Sequence, residues 1–148
     1  MKPIRTYVLI ADGARARLLL SEGRGTPLAE VPGSEHSQDI KPDHEISAER
    51  PGRVHESANI ARHAIERDDL HRREKERFAQ SLAADLDRRL TNREYDRLVV
   101  AAAPETLGVI RSALSEKVRA VLLGEVPKDL TKLPNPQLKA HLGDDLPI

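Results

Sequence analysis

The sequence predicts an α/β protein on one mixed sheet, with three antiparallel strands followed by an alternating α-β-α-β-α run. Three observations carry that expectation. Residues 6–20, TYVLIADGARARLLL, set two apolar runs on either side of Asp12-Gly13, a pair that marks a tight hairpin because both central residues of a type I′ turn need positive φ. Residues 78–90 repeat apolar side chains at spacings of three and four, the period of an amphipathic helix. Residues 98–103, LVVAAA, are continuously apolar, as a strand covered on both faces must be.

A two-residue turn at Asp12-Gly13 sets Ala11 opposite Ala14, Leu9 opposite Ala16 and Tyr7 opposite Leu18. One face of this hairpin is then core, while the other carries Val8 and Ile10 low down and Arg15 and Arg17 near the tip. Because Val8, Leu9 and Ile10 are apolar on both faces, the first strand is expected at the sheet centre, between the second strand and residues 98–103. Gly23 and Gly25 mark a second turn, leading to a third strand over 28–31 that Pro32-Gly33 closes.

Residues 34–71 then lose the periodicity and are broken by Pro42 and Pro51-Gly52. They read as a long polar loop, the most mobile part of the chain, with a short helix over 56–66. The long helix is expected from Arg72, with Phe78, Ala79, Leu82, Ala83, Leu86 and Leu90 on its apolar side. Pro104 suits the first position of the next helix, which buries Leu107, Ile110 and Leu114. Residues 120–123 form a second buried strand, and Asn135, followed by Pro136, is expected to cap a last helix carrying Leu138 and Leu142. Alternation of strand and helix asks for parallel pairing with right-handed crossovers, and hence for helices on both faces. At 148 residues the whole, 1–148, is expected as a single domain. This is the element order of ribonuclease H-like folds, an analogy silent about chemistry.

Composition narrows the function classes. The chain holds 24 Lys plus Arg against 24 Asp plus Glu, so any basic site must come from local segregation rather than overall charge. With no cysteine, disulfides, thiolate zinc sites and cysteine nucleophiles drop out together. The apolar run near the amino end is too short for a signal-peptide core, and no stretch approaches the length of a membrane span. A cytoplasmic protein that does not enter the membrane is expected. Only Tyr7, Phe78 and Tyr95 are aromatic, which disfavours single-strand recognition through stacked bases.

Two-metal nuclease chemistry needs several converging carboxylates. Asp12 at the end of the first strand and Asp85 on the long helix are candidates, yet residues 101–104 read Ala-Ala-Ala-Pro with no acid, so the set is incomplete. Five of six histidines fall within 34–71 without close pairing, and no metal site is expected. Gly23-Arg24-Gly25 leads into a strand and is no phosphate cradle, nor is there a Gly-x-Ser-x-Gly elbow. No cofactor is expected and no catalytic residue is assigned. Arg50, Gly52 and Arg53 form a turn flanked by guanidinium groups, and Arg62 follows; such a loop can neutralise phosphates, although acids interleave with the arginines. Lys128, Asp129 and Thr131 follow the last strand, at the carboxyl end of parallel strands where open α/β sheets bind ligands; a turn bonding its own backbone is the plainer alternative.

Taken together, YVLIADGARARLLL, FAQSLAADLDRRL, YDRLVVAAAPETLGVIRSAL and VPKDLT resemble the bacterial host-attachment protein family, in order and over nearly the whole chain. The resemblance implies kinship with the middle domain of archaeo-eukaryotic peptide-chain release factors, hence a ribonuclease H-like domain and a link to ribosomes or RNA. Release factors carry Gly-Gly-Gln in a loop before the long helix. Here the corresponding stretch holds Gln38 but no Gly-Gly-Gln, so peptidyl-tRNA hydrolysis is not implied. The expectation is a non-enzymatic binding protein acting on a ribosome or RNA partner, using Asp12, Arg15, Arg17 and the loop arginines, with an indirect effect on attachment to host cells. A hydrolase of a phosphate-bearing substrate and a surface adhesin are the alternatives.

Overall fold

The computed structural model describes residues 2–38, 57–143 and 146–148. Strand β1 (Thr6–Ala11) is buried along its whole length. It lies between antiparallel β2 (Arg15–Ser21) and parallel β5 (Arg97–Ala101), and cover on both faces is what its unbroken apolar sequence requires. Two short strands, β3 (Ala29–Glu30) and β4 (His36–Ser37), pair with opposite ends of β2. Beyond β5 runs parallel β6 (Leu122–Val126), giving the order β3-β2-β1-β5-β6. Between β3 and β4, buried Ser34 stands in for a strand: its Oγ accepts from the Leu18 amide at 3.1 Å and donates to the Leu18 carbonyl at 3.4 Å. The β2 edge therefore stays hydrogen-bonded where its two short partners leave a gap.

Each face of the sheet has its own apolar layer. Tyr7, Leu9, Leu18, Leu98 and Val100 pack under α1 (Ser57–Thr91), α2 (Pro104–Ala113) and α3 (Glu116–Ala120). Val8, Ile10, Leu19 and Val99 pack against Leu130, Ile148 and α4 (Leu138–Leu142), which follows a 3-10 turn (Asn135–Gln137). Central β1, parallel β5 and β6, and helices on both faces are thus as the sequence leads one to expect.

The hairpin register differs. Ala11 faces Ala16, Leu9 faces Leu18 and Tyr7 faces Leu20, two residues away from the pairing that an Asp12-Gly13 turn gives. The cause is the Asp12 carboxylate. Its Oδ1 accepts the amides of Ala14 and Arg15, each at 2.7 Å, while the Asp12 amide donates to the Arg15 carbonyl at 2.9 Å. The side chain closes the turn, as Asp does in Asx-turns, and Gly13 is not among the left-handed glycines, 23, 25, 33 and 143. A shift by an even number leaves every side chain on its expected face.

The expected loop over 34–71 is corrected at 34–38 and 57–71, while 39–56 lies outside the described residues. It contains β4, and from Ser57 onward it is helix, so α1 runs for 35 residues, about 50 Å at the usual rise. Among its described side chains burial begins at Phe78, with Ala79, Leu82, Ala83 and Leu86 buried and Leu90 half-buried. Upstream, Ile65 and Leu70 are exposed. That half has no apolar stripe to reveal it; good helix formers and local ion pairs such as Asp69 with Arg72 at 2.7 Å hold it instead. The helix closes in a Schellman motif: the Glu94 amide donates to the Arg89 carbonyl and the Arg93 amide to that of Leu90. Arg93 takes the left-handed position, φ 58°, that glycine usually fills.

Nearer the carboxyl end, α3 takes up part of the stretch read as strand, and β6 starts at Leu122. Ser115 caps α3 by accepting the Val118 amide. As the outer strand, β6 is only partly buried, with Leu123 exposed. Asn135 opens the 3-10 turn instead of capping a helix.

Candidate functional site

The carboxyl ends of β1, β5 and β6 meet at one side of the sheet, the side on which open α/β sheets bind ligands. There the turn after β1 and the segment after β6 form the walls of an open groove of about 810 Å³, lined by Asp12, Arg15, Arg17, His36, Thr131 and Lys132 among others. Four of the residues singled out in the sequence, Asp12, Arg15, Arg17 and Thr131, therefore come together.

Their roles are unequal. Arg17 is a latch: Nη1 donates to the Thr131 carbonyl at 2.9 Å, Nη2 to that of Leu133 at 2.8 Å, and Nε to Asn135 Oδ1 at 3.3 Å. Carbonyls and an amide oxygen orient the guanidinium without cancelling its charge. Asp12 Oδ1 is committed to its turn, and Thr131 Oγ1 lies 3.5 Å from Oδ2. The Thr131 hydroxyl and amide both donate to Asp129 Oδ1, at 2.5 and 3.0 Å, so Asp129 serves the local turn. Arg15, Lys128 and Lys132 are exposed and meet no acid among the described residues. Lys128 follows β6 but lies outside the groove lining. Arg62 is exposed on the upstream half of α1 and does not reach the groove. Arg50, Gly52 and Arg53 fall outside the described residues.

Lys75 was not legible as a site residue. It precedes Phe78 by three positions on α1, which puts it on the core-facing side at the hairpin end, and its stem lies over Gly13. Its ammonium is 3.8 Å from the Glu105 carboxylate at the start of α2.

A second polar group touches the groove only at His36 and lies on the α1 face of the sheet. His36 on β4 meets Asp85 on α1, Nε2 to Oδ2, at 3.0 Å. Asp85 also accepts from Arg88, and from Arg89 Nε at 2.9 Å. Arg89, only 7% exposed, donates onward to Glu94 at 3.0 Å and to the Gly33 carbonyl at 3.3 Å. Tyr7 donates to the same Glu94 oxygen at 3.1 Å and stacks on Tyr95, whose hydroxyl donates to the Leu86 carbonyl at 2.7 Å. Burial works to raise the Asp85 pKa, but hydrogen bonds from His36, Arg89 and Arg88 outweigh it and hold the carboxyl below its ordinary value. Burial, then the Glu94 charge, push the Tyr7 phenol up. Asp85 and Arg89 one helical turn apart hint at this network in the sequence, but His36, Gly33 and Tyr7 come to it from remote parts of the chain.

Among the described residues no group of three or more His, Asp or Glu side chains could hold a metal ion, and no helix is long and apolar enough to cross a membrane. The comparison with curated proteins gives no match. A family described as "Protein required for attachment to host cells" matches residues 7–142, from the first strand through the last helix. The chain belongs to the family of proteins required for attachment to host cells.

Proposed function

We propose that this protein is a non-enzymatic, cytoplasmic binding module that engages RNA or a ribosome through the groove beside the hairpin turn, and that its effect on attachment is indirect. The observation that carries this reading is the charge arrangement of the groove. Arg15 and Lys132 stand open to solvent on its walls and Arg17 is held in place by neutral acceptors, against two acids in the lining, Glu35 and the turn-bound Asp12. Phosphate oxygens are the ligands such cations take up. Catalysis finds less support. Asp12 Oδ1 is tied to two backbone amides and Asp85 to two guanidinium groups, so both carboxylates already serve the fold. The strand order, with β1 between an antiparallel and a parallel neighbour, favours the ribonuclease H-like class and with it the release-factor kinship.

Sedimentation of the purified protein with ribosomes, and pull-down with bulk RNA, test this reading over graded salt. Association at low salt that declines steeply as salt rises is expected. Absence of association at low salt, or indifference to salt, contradicts it. Cell fractionation tests the location, and a predominantly surface-held pool overturns the cytoplasmic assignment.

A further inference from the structure

Arg17 is the half-buried cation of the groove, and no carboxylate among the described residues pairs with it. A charge drawn out of water ordinarily has a counter-ion. Here neutral oxygens orient the guanidinium and leave its charge in place: the Thr131 and Leu133 carbonyls and Asn135 Oδ1. Each terminal nitrogen spends one N–H on a carbonyl and keeps a second. Arg15 stands two residues away along β2, hence on the same face of the strand. Lys132 lines the other wall, within the very segment whose carbonyls hold Arg17. The acids of the lining are Glu35 and Asp12, and Asp12 Oδ1 is taken by two amides.

All of these acceptors belong to residues 131–135, the segment that leads from β6 to α4. Within it the Thr131 amide donates to Asp129 Oδ1 at 3.0 Å and the Leu133 amide to the Leu130 carbonyl at 3.1 Å, while Asn135 Nδ2 donates to Glu30 at 2.8 Å. Asn135 lies outside the groove lining, so it reaches a ligand there only through Arg17. An anion that binds Arg17 while the guanidinium is held by this segment must in turn tighten the segment, because a ligand stabilises the state it binds.

We infer that Arg17 anchors a phosphate subsite in the groove, flanked by Arg15 and Lys132, and that filling this subsite tightens residues 131–135. This rests on the phosphate-binding reading above and names the side chain through which binding is coupled to the fold. Hydrogen exchange of the full chain tests it in inorganic phosphate, in bulk RNA and in chloride at equal ionic strength. The Thr131 and Leu133 amides should exchange more slowly with phosphate or RNA than with chloride, and the difference should vanish in Arg17→Lys. Asn135→Ala should weaken RNA binding several-fold at the parent's salt slope, since no cation is lost. RNA that binds without slowing these amides overturns the coupling and leaves the groove reading on Arg15 and Lys132. So does Asn135→Ala binding as the parent does. Equal slowing at the Val121 amide, on the far side of the sheet at the end of α3, marks a general salt effect and also overturns it. Slowing by inorganic phosphate in a protein that binds neither RNA nor ribosomes keeps the subsite for a free phosphate and removes the RNA reading. If Arg17→Lys does not fold, the parent and Asn135→Ala decide. A parent protein that responds to none of these removes both readings.

Discussion

His36 Nε2 and Asp85 Oδ2, 49 residues apart in the chain, lie 3.0 Å from each other and join the short strand β4 to the long helix α1. Asp85 is the hub of that junction, because Arg88 and the buried Arg89 share its carboxylate. Asp85→Ala should cost about 3 kcal/mol, the low end for a broken buried pair, since Arg89 keeps Glu94. His36→Ala should cost only about 1 kcal/mol, the worth of one ordinary hydrogen bond. Urea denaturation of the two variants checks the order; equal losses would contradict the hub assignment.

Acid should destabilise the fold through the same group. The Asp85 carboxyl titrates below its ordinary value of 3.8 in the folded protein, so the unfolded chain takes up its proton first as pH falls. Its contribution is fully present above the unfolded value and is lost as pH drops through the folded one. Urea midpoints between about pH 5 and pH 2 should therefore decline in the parent and decline less in Asp85→Asn. Parallel curves would remove Asp85 from the acid response.

Arg93 closes α1 in a left-handed conformation, φ 58°. A side chain there is strained, by about 1 kcal/mol for an L-residue. Arg93→Gly should raise stability by about 0.5 kcal/mol at most, the relief of strain being partly offset by the extra entropy of the unfolded glycine. Thermal melting checks this, and a lowered melting temperature would show that the Arg93 side chain contributes a contact of its own.

Arg17 ties β2 to the segment after β6 with donors from all three guanidinium nitrogens. Arg17→Ala should lose about 2 kcal/mol, and Arg17→Lys should recover little, because an ammonium cannot span the fork of acceptors. Hydrogen exchange at residues 131–135 should quicken in both variants. Unchanged exchange would show that the segment is held by other means.

What the sequence made legible follows from where the physical signal lies. The apolar runs of β1 and β5 and the stripe from Phe78 to Leu90 announce themselves because burial dictates residue type at each position. Between residues 61 and 77 α1 buries no apolar stripe, so periodicity is blind to it even though its residues favour helix. The hairpin register turned on one carboxylate: Asp12 and Gly13 fit a two-residue turn, and nothing local tells that Oδ1 will take both amides. Asp12, Arg15, Arg17 and Thr131 came to one groove because topology brings the ends of β1 and β6 to one side of the sheet. Arg17's role as a latch and the chain from His36 to Tyr7 depend on contacts between remote segments, which spacing does not encode.

The most direct test of RNA or ribosome binding through the groove is the salt dependence of a variant carrying Arg15→Ala and Lys132→Ala together. Both side chains are exposed and unpaired among the described residues, so stability should move by no more than about 0.5 kcal/mol. Affinity for ribosomes or RNA should fall, and the slope of log affinity against log salt should flatten by about two, one for each lost phosphate contact. The parallel pair Arg50→Ala with Arg53→Ala reports on the loop arginines separately. A double variant at Arg15 and Lys132 that keeps the parent's affinity and slope would contradict the groove as the binding surface.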